Sequence, residues 1–297
     1  MSGCFKLAAC VTFRHVTDNL SNKDLSILVL HYRTPDILRT CLDKLAAAAP
    51  GVRVVVVNSG PPEDVAGLGA ETLQVPNHSF AHTLNCGLKL VTTPYAAHMN
   101  ADVYVTEETF PKLLEVLKQP GVGMAGPRAR TPDGRLQNQG LPYRRHYARL
   151  ERTRTSVPVP WLSGCLQVVD MAAVTAVGGM DASLRFYNED TEWCYRFRRA
   201  GFACRLVDTD VLHLGGSSTP NDPRFIVEGF RGGYKLSQRL HGHVYQTLHR
   251  TVVRVMGAWG SSFAKTPAQR QASAQVREMF RQGSFDESPF GETLDRR

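Results

Sequence analysis

The stretch LSILVLHYRT at residues 25–34, followed by VRVVVVNSG at residues 52–60, decides the fold. Each stretch begins with a continuous apolar run of strand length, which is typical of a strand buried on both faces of a sheet. Between the two runs, Thr34 and Pro35 are suited to the N-cap and first position of a helix, and Pro50-Gly51 ends it. The pattern therefore predicts two buried strands joined by a helix.

The alternation of strands and helices continues along the chain. Residues 80–91 are predicted to form a short helix, Tyr95 to Met99 a strand, and Glu107 to Lys118 a helix opened by Thr106. This order predicts an α/β protein with a doubly wound, mostly parallel, Rossmann-like sheet and right-handed crossovers. Ligands of such sheets bind at the carboxyl ends of the strands. The polar groups after the strands are His31-Tyr32-Arg33, Asn58-Ser59-Gly60 and Asn100-Ala101-Asp102.

We divide the chain into three parts: an N-terminal extension at 1–24, the α/β domain at 25–221, and a basic helical C-terminal extension at 222–297. The N-terminal part lacks periodicity, so it is either poorly ordered or added to a sheet edge. Apolar residues recur at helical spacing in the C-terminal part, at Val244, Leu248, Val252, Val255, Trp259 and Phe263. This apolar stripe is interpreted either as a helix docking on the domain or as a basic amphipathic helix on an anionic membrane.

Composition excludes several classes of protein. A hydrophobic share of 42% with 21% charged residues is that of a globular protein, and no apolar run reaches the length of a membrane span. The first residues lack the pattern of a secretory signal. Seven cysteines without a C-x-x-C pair favour reduced thiols in a cytoplasmic protein over disulfides or a zinc site. A net charge of +8 favours a polyanionic partner without selecting one.

Arginines are concentrated in residues 128–154, a segment that contains eight arginines and only two acids, Asp133 and Glu151. The segment is interpreted either as a solvated surface loop or as a cradle for an anionic substrate. Nucleic acid is disfavoured as a partner because only Tyr143 and Tyr147 interleave with the arginines.

Three positions carry candidate chemistry. Asp102 follows a strand and could hold a hard divalent cation that bridges phosphate oxygens, or could cap a turn. Glu189 and Asp190 precede a helix, where acids either complement the helix dipole or act as a general base that stays ionised. We expect Arg196, six residues after Asp190, to pair with an acid and fix its rotamer. His213 ends a short apolar run and is followed by Gly215 and Gly216.

Taken in order, the motifs resemble glycosyltransferase family 2, the inverting nucleotide-sugar transferases of GT-A fold, and most of all its bacterial rhamnosyltransferase-like members. The likeness covers roughly residues 25–220. The motifs that carry it are SILVLHYRT, VVVVNSG, NHSFAHTLNCGL, HMNADVYV, TPDGRLQ, the block from Trp161 to Phe202 that contains FYNEDTEWCYRF, and HLGGSST.

The resemblance implies a role for each matching residue. Asp190 is implied as the catalytic base and Glu189 as its acidic neighbour, while Asp102 and His213 are implied to bind Mg²⁺ or Mn²⁺. Nucleotide contacts are implied for His31, Tyr32, Asn58, Asn85 and Asn100, and sugar or acceptor contacts for Trp161, Gly164 and Arg196. Three residues depart from the family pattern: Asn58 replaces an aspartate that accepts a bond from the base, Arg33 replaces an asparagine, and Ser79 replaces a glycine.

The implied function is metal-dependent transfer of a sugar from a nucleotide donor, dTDP-rhamnose or a UDP-sugar, to a hydroxyl of a glycan or lipid-linked acceptor. Such transfer builds surface polysaccharide of the cell envelope, and it implies a cytoplasmic enzyme, with peripheral contact at the inner face of the membrane left open. The alternative is a non-catalytic nucleotide- or carbohydrate-binding relative on the same fold. The presence of Asp102, Asp190 and His213 together argues against that alternative.

Overall fold

The computed structural model describes residues 23–137, 141–215, 222–263 and 266–291, with the backbone alone described at 141–143, 243 and 256–263. The strands are β1 Leu25–His31, β2 Arg53–Asn58, β3 Glu71–Gln74, β4 Tyr95–Asn100, β5 Val103–Tyr104, β6 Val122–Arg130, β7 Ser156–Pro158, β8 Leu166–Asp170 and β9 Ala203–His213. The helices are α1 Pro35–Ala48, α2 Phe80–Leu88, α3 Thr109–Leu117, α4 Leu141–Thr153, α5 Met171–Val177, α6 Glu189–Arg199, α7 Pro223–Leu240, α8 His243–Phe263 and α9 Pro267–Gln282. The predicted extension at residues 1–24 lies almost wholly outside the described residues, and so does Gly216.

The strands form one sheet in the order β3-β2-β1-β4-β8-β6-β9-β5, with β7 also paired to β9. Strands β3, β2, β1 and β4 are parallel neighbours, and so are β6 and β9, which confirms the predicted α/β class with a mostly parallel central sheet. Strand β8 runs antiparallel between β4 and β6, a direction that the sequence pattern does not predict. Its N-terminal end therefore meets the carboxyl end of β4, where the Asn100 N–H donates to the Cys165 carbonyl.

Helices cover both faces of the sheet and bury two apolar layers. On one face, Leu38 and Cys41 of α1 and Phe110 of α3 pack with the strands. On the other face, Leu84 of α2 and Trp193 of α6 do so. The sheet is thus covered on both sides, and its open edge at the carboxyl ends of β1 and β4 is where a ligand can enter.

The predicted helix starts are close to the observed ones, with different contacts. Thr34 is the N-cap of α1, yet its hydroxyl makes no capping bond; its backbone N–H donates to Nε2 of His31 instead. Helix α3 begins at Thr109 rather than Glu107. The hydroxyl of Thr109 accepts a bond from the Thr106 N–H, so Thr106 stays outside the helix.

Helices α7, α8 and α9 pack together around a small core of their own, and we call them the C-terminal bundle. Its buried side chains are Val227, Tyr234, Val253, Ala272, Val276, Met279, Phe280 and Phe285. The described part of the apolar stripe does not dock: Val244 is 87% exposed, and Leu248, Val252 and Val255 are exposed too. Trp259 and Phe263 have side chains outside the described residues. Within the ranges described, we find no helix that is long and apolar enough to cross a membrane.

Candidate active site

A cavity of about 410 Å³ opens at the carboxyl edge of the central strands. It brings together eight of the twelve predicted site residues: His31, Tyr32, Asn100, Asp102, Gly164, Glu189, Asp190 and His213. Ser59, which follows β2 as predicted, also lines the cavity, and so do residues to which the sequence assigned no role, among them Asn77, Phe80, Ser163, Phe186, Tyr187 and Phe225. Residues separated by well over a hundred positions in sequence thus face one space.

The two adjacent acids at the start of α6 have different surroundings. Asp190 accepts bonds from the backbone N–H of Gly164 at 3.0 Å and of Thr191 at 2.7 Å. Atom Oε2 of Glu189 is buried and has no hydrogen-bond partner. Burial, which outweighs these bonds, raises the pKa of Asp190, and burial together with the charge of Asp190 raises the pKa of Glu189 well above its ordinary range.

Burial therefore opposes the effect expected of a helix N-terminus, which is to keep these acids ionised. Burial acts against the helix dipole, and the two carboxyl groups compete for one proton. Asp190 receives hydrogen bonds from Gly164 and Thr191 that stabilise its carboxylate, whereas Oε2 of Glu189 receives none. The result is two adjacent acids with raised pKa values, of which Asp190 is the one whose carboxylate is stabilised by donated hydrogen bonds.

The acids are presented by an unusual turn. Tyr187 and Asn188, which immediately precede α6, have φ values of 69° and 71°, in the left-handed region that residues other than glycine seldom adopt. Asn188 occupies the N-cap position without a capping side-chain bond, and its Nδ2 donates to the carbonyl of Gly229 in α7 at 3.1 Å. The turn allows α6 to begin directly at the cavity.

Asp102 and His213 face each other, as the resemblance implies for shared ligands. Nε2 of His213 lies 3.4 Å from Oδ1 of Asp102, although 111 positions separate them in sequence. Burial lowers the pKa of His213, but hydrogen bonding to Asp102 and Cys165 and the charges of both outweigh it and raise the pKa to about 10. The space between these side chains therefore favours positive charge.

The residues present fit a divalent cation bound together with a phosphate ligand. In the part of the chain that the structure describes, no three His, Cys, Asp or Glu side chains are grouped closely enough to hold a metal by themselves. One carboxylate and one imidazole would leave the remaining positions to phosphate oxygens and water, which is the manner in which Mg²⁺ is commonly bound.

Gln137 is a contributor that the sequence reasoning missed. Its Oε1 lies 2.9 Å from Nδ1 of His213, so Nδ1 donates and Nε2 is directed to Asp102. The sequence signal for it is its position in the TPDGRLQ motif.

Asn58 supports the cavity from behind rather than lining it. Its Oδ1 accepts from Nδ1 of His31 at 2.9 Å, and the tautomer is fixed because Nε2 of His31 accepts from the Thr34 N–H. Its Nδ2 donates to Gln74 and to the carbonyls of Gly60 and Pro61. The amide is fully engaged and buried, so its position does not support the implied contact with a base.

Three other predicted residues do not line the cavity. Asn85 bonds to the backbone N–H and carbonyl of Met180, which joins α2 to the turn after α5. Arg196 pairs with an acid, as predicted, but that acid is Glu192 and not Glu189 or Asp190, and it also donates to the carbonyls of residues 177–179. Trp161 packs against the core beneath the site.

The eight arginines of residues 128–154 do not line the cavity either. Arg128 pairs with Asp208 at 2.8 Å, and Arg130 pairs with Asp210 at 2.8 Å, so these two cross-link β6 and β9. Arg135 pairs with Asp133, and the remaining five are exposed on or just after α4. The cradle interpretation is thus not supported at this site.

The mixed α/β fold with a mostly parallel central sheet is that of GT-A glycosyltransferases. The mannosyltransferase PcManGT from Pyrobaculum calidifontis, in complex with GDP-Man and Mn²⁺, has this fold with a TM-score of 0.58 and 14% identity over 88% of this chain and 87% of that one. GalNAc-T7 with UDP, GalNAc and Mn²⁺ gives a TM-score of 0.59 and 11% identity over 90% of this chain and 57% of that one. Likeness at this identity establishes the fold.

The family follows from the sequence itself. A family model described as glycosyltransferase like family 2 matches residues 22–211, which is more than half of the chain. A search of curated proteins finds no match. The chain belongs to glycosyltransferase family 2 and is a glycosyltransferase.

Proposed function

We propose that the protein transfers a sugar from a nucleoside diphosphate sugar to an acceptor hydroxyl with inversion, in the presence of a divalent metal. The observation that carries the proposal is the meeting of Asp190 and the Asp102–His213 pair in one cavity. The first is a hydrogen-bonded carboxylate suited to proton transfer, and the second is a site that favours a cation beside the leaving diphosphate.

Asp190 is the proposed general base. An acceptor hydroxyl has a pKa far above neutrality, so its proton must be removed as the oxygen attacks the anomeric carbon. A carboxylate with a raised pKa is a stronger base than an ordinary one, and the Gly164 N–H holds it in position. Glu189, whose Oε2 has no hydrogen-bond partner, is placed to bind the acceptor through a hydrogen bond.

Asp102 and His213 would hold Mg²⁺ or Mn²⁺. When bound, the cation neutralises the charge that develops on the departing diphosphate. Attack from the face opposite the nucleotide inverts the anomeric centre, and a single base suffices because no covalent intermediate is needed.

For the donor we propose dTDP-rhamnose first and a UDP-sugar second, on the resemblance of the sequence motifs. The two structural neighbours, which hold GDP-Man and UDP, make a panel of dTDP-rhamnose, UDP-glucose and GDP-mannose with Mn²⁺ the natural test. A donor that binds only the folded protein raises its melting temperature. If no nucleotide sugar shifts the melting temperature, the proposed activity is wrong.

The catalytic assignment is tested by Asp190→Asn, with Glu189→Gln as the matched variant. Asparagine is nearly isosteric with aspartate and cannot accept the proton, so we expect transfer to fall by about 10²–10⁴-fold with donor affinity retained. Glu189→Gln can still form a hydrogen bond to the acceptor and should lower transfer less. If Asp190→Asn is active and Glu189→Gln is inactive, the two roles are reversed.

We further propose a lipid-linked or glycan acceptor of cell-envelope polysaccharide and peripheral contact with the inner face of the membrane. The support is the exposed part of the apolar stripe, Val244, Leu248, Val252 and Val255, together with the net charge of +8. Co-sedimentation with vesicles of phosphatidylglycerol should exceed that with neutral vesicles and should fall with salt. Binding that ignores lipid charge and salt would contradict this location.

A further inference from the structure

A buried ion pair in the C-terminal bundle lies next to the acid-bearing turn. Glu228 is 0% exposed and Arg231 is 1% exposed, and both belong to α7. The guanidinium donates to both carboxylate oxygens, with Nε at 2.8 Å from Oε2 and Nη2 at 2.6 Å from Oε1. A buried charge pair is by itself weak evidence of a stabilising role. We therefore infer the role of this pair from its other hydrogen bonds.

Those other bonds join two distant parts of the chain. Arg231 donates to the carbonyl of Ser183, just before the acids, and to the carbonyl of Phe285, after α9, both at 3.0 Å. Glu228 accepts from the Arg185 N–H at 3.3 Å and from the hydroxyl of Ser288 at 2.9 Å. The pair therefore ties residues 183–185 to the end of the bundle.

Helix α7 also touches the turn directly, because glycines line its contact face. Asn188 donates to the carbonyl of Gly229. A Cβ added at Gly232 would lie 3.1 Å from Nδ2 of Asn188 and 3.3 Å from the carbonyl oxygen of Tyr187, which is tighter than ordinary contact. A Cβ at Gly233 would meet only Oδ1 of Asn188, at 3.8 Å.

Two consecutive left-handed residues persist only when the surrounding structure holds them. Here α7 supplies the holding contacts: Gly229 and Gly232 meet the turn itself, and the Glu228–Arg231 pair bonds to residues 183 and 185 before it. The same helix supplies Phe225 to the cavity wall, where its ring meets that of Phe186 with centroids 4.5 Å apart. The bundle is thus in contact with both the turn and the cavity.

We propose that the C-terminal bundle is part of the active site and that Glu228 and Arg231 are positioning residues. Through Ser183, Arg185 and the Tyr187–Asn188 turn they direct Glu189 and Asp190 into the cavity. This inference rests on the proposed function, since it assigns to the bundle the alignment of the proposed base. It predicts that disturbing the pair slows the chemical step and leaves donor binding unchanged.

The test is the double variant Glu228→Gln with Arg231→Met. Removing both charges of a buried pair is often tolerated, and glutamine can still accept from the Arg185 N–H, but the bonds to Ser183 and Phe285 are lost. The control is Glu278→Gln with Arg281→Met, an exposed pair with the same i,i+3 spacing on α9. The readout is hydrolysis of the nucleotide sugar with the largest melting shift in the panel above, water replacing the acceptor.

We expect kcat of the double variant to fall by about 10–100-fold with KM unchanged, as for a misplacement of about 1 Å, and the control to match the wild type. Wild-type kcat in the double variant would overturn the inference, and so would a rise in KM equal to the loss in kcat. A protein that binds no nucleotide sugar at all refutes the proposed function instead.

A pair of single variants decides the matter if the double variant does not fold. Gly232→Ala and Gly233→Ala change neighbouring positions of α7, and both favour the helix by the same propensity. Only the methyl group of Gly232→Ala comes closer than ordinary contact to the Tyr187–Asn188 turn. We expect Gly232→Ala to lower kcat by about three- to ten-fold, because the rate depends on the position of the acids relative to the substrate. Gly233→Ala should leave kcat unchanged. Equal kcat values for the two would overturn the inference.

Discussion

Gln137 offers a sharp test of the proposed metal site, because it contacts the proposed ligand and not the cation. Its Oε1 accepts from Nδ1 of His213 at 2.9 Å, which orients the ring with Nε2 toward Asp102. Gln137→Leu keeps the size of the side chain and removes that bond. Loss of such an outer partner typically costs about 10–100-fold in metal affinity, or about 1.4–2.7 kcal/mol.

The measurement is a calorimetric titration of Mn²⁺ with inorganic pyrophosphate present, which provides diphosphate oxygens without a choice of base or sugar. We expect Gln137→Leu to bind Mn²⁺ about 10–100-fold more weakly, and Gln137→Glu to bind at least as well as the wild type because a carboxylate accepts the same bond more strongly. Equal affinity of the leucine variant and the wild type would refute the role of Gln137. Failure of the wild type to bind would refute the metal site itself.

Two further predictions concern stability. Burial raises the pKa of Glu189 in the folded protein above its ordinary 4.5, so the folded state retains a proton that the unfolded state releases. The free energy of unfolding therefore falls as the pH rises from 4.5. Glu189→Gln should flatten this fall in thermal melts between pH 5 and 8, and an unchanged slope would contradict the prediction. Asn85→Ala loses two bonds to Met180, of 2.7 and 2.9 Å, and should lower the free energy of unfolding by about 2–3 kcal/mol in urea titrations. Its donor affinity should equal that of the wild type; weaker binding would restore the implied nucleotide contact.

The central strands could be predicted because each is a short apolar run followed by a helix signal. LSILVL and VRVVVV correspond to β1 and β2 almost residue for residue. The direction of β8 could not be predicted, because LQVVD carries the same apolar character in either orientation. That direction places Gly164 beside Asp190, so part of the site depends on a property that periodicity does not encode.

Motif positions predicted which acids share the cavity, and they failed on partners. The motifs predict ligand contacts for Asn58 and Arg196, yet the polar groups of both side chains are hydrogen-bonded to protein groups that are brought close only by folding. Glu228 and Arg231 gave no signal, because an i,i+3 pair on a basic helix is usually a solvated surface pair. The place of Phe225 in the cavity wall could not be predicted from the sequence either, since its ring reaches the cavity only through the packing of α7.

The balance of charge in the cavity determines what a nucleoside diphosphate needs in order to bind there. Asp102, Glu189 and Asp190 line the space, and among the lining residues that the structure describes there is no lysine or arginine. Two like charges 4 Å apart repel by about 4 kcal/mol in a partly buried site, so a diphosphate would meet a strongly unfavourable field. The raised pKa of Glu189 favours its neutral form and so reduces that field. The remainder requires a cation, and we therefore expect metal to be needed for donor binding itself and not only for the departure of the diphosphate.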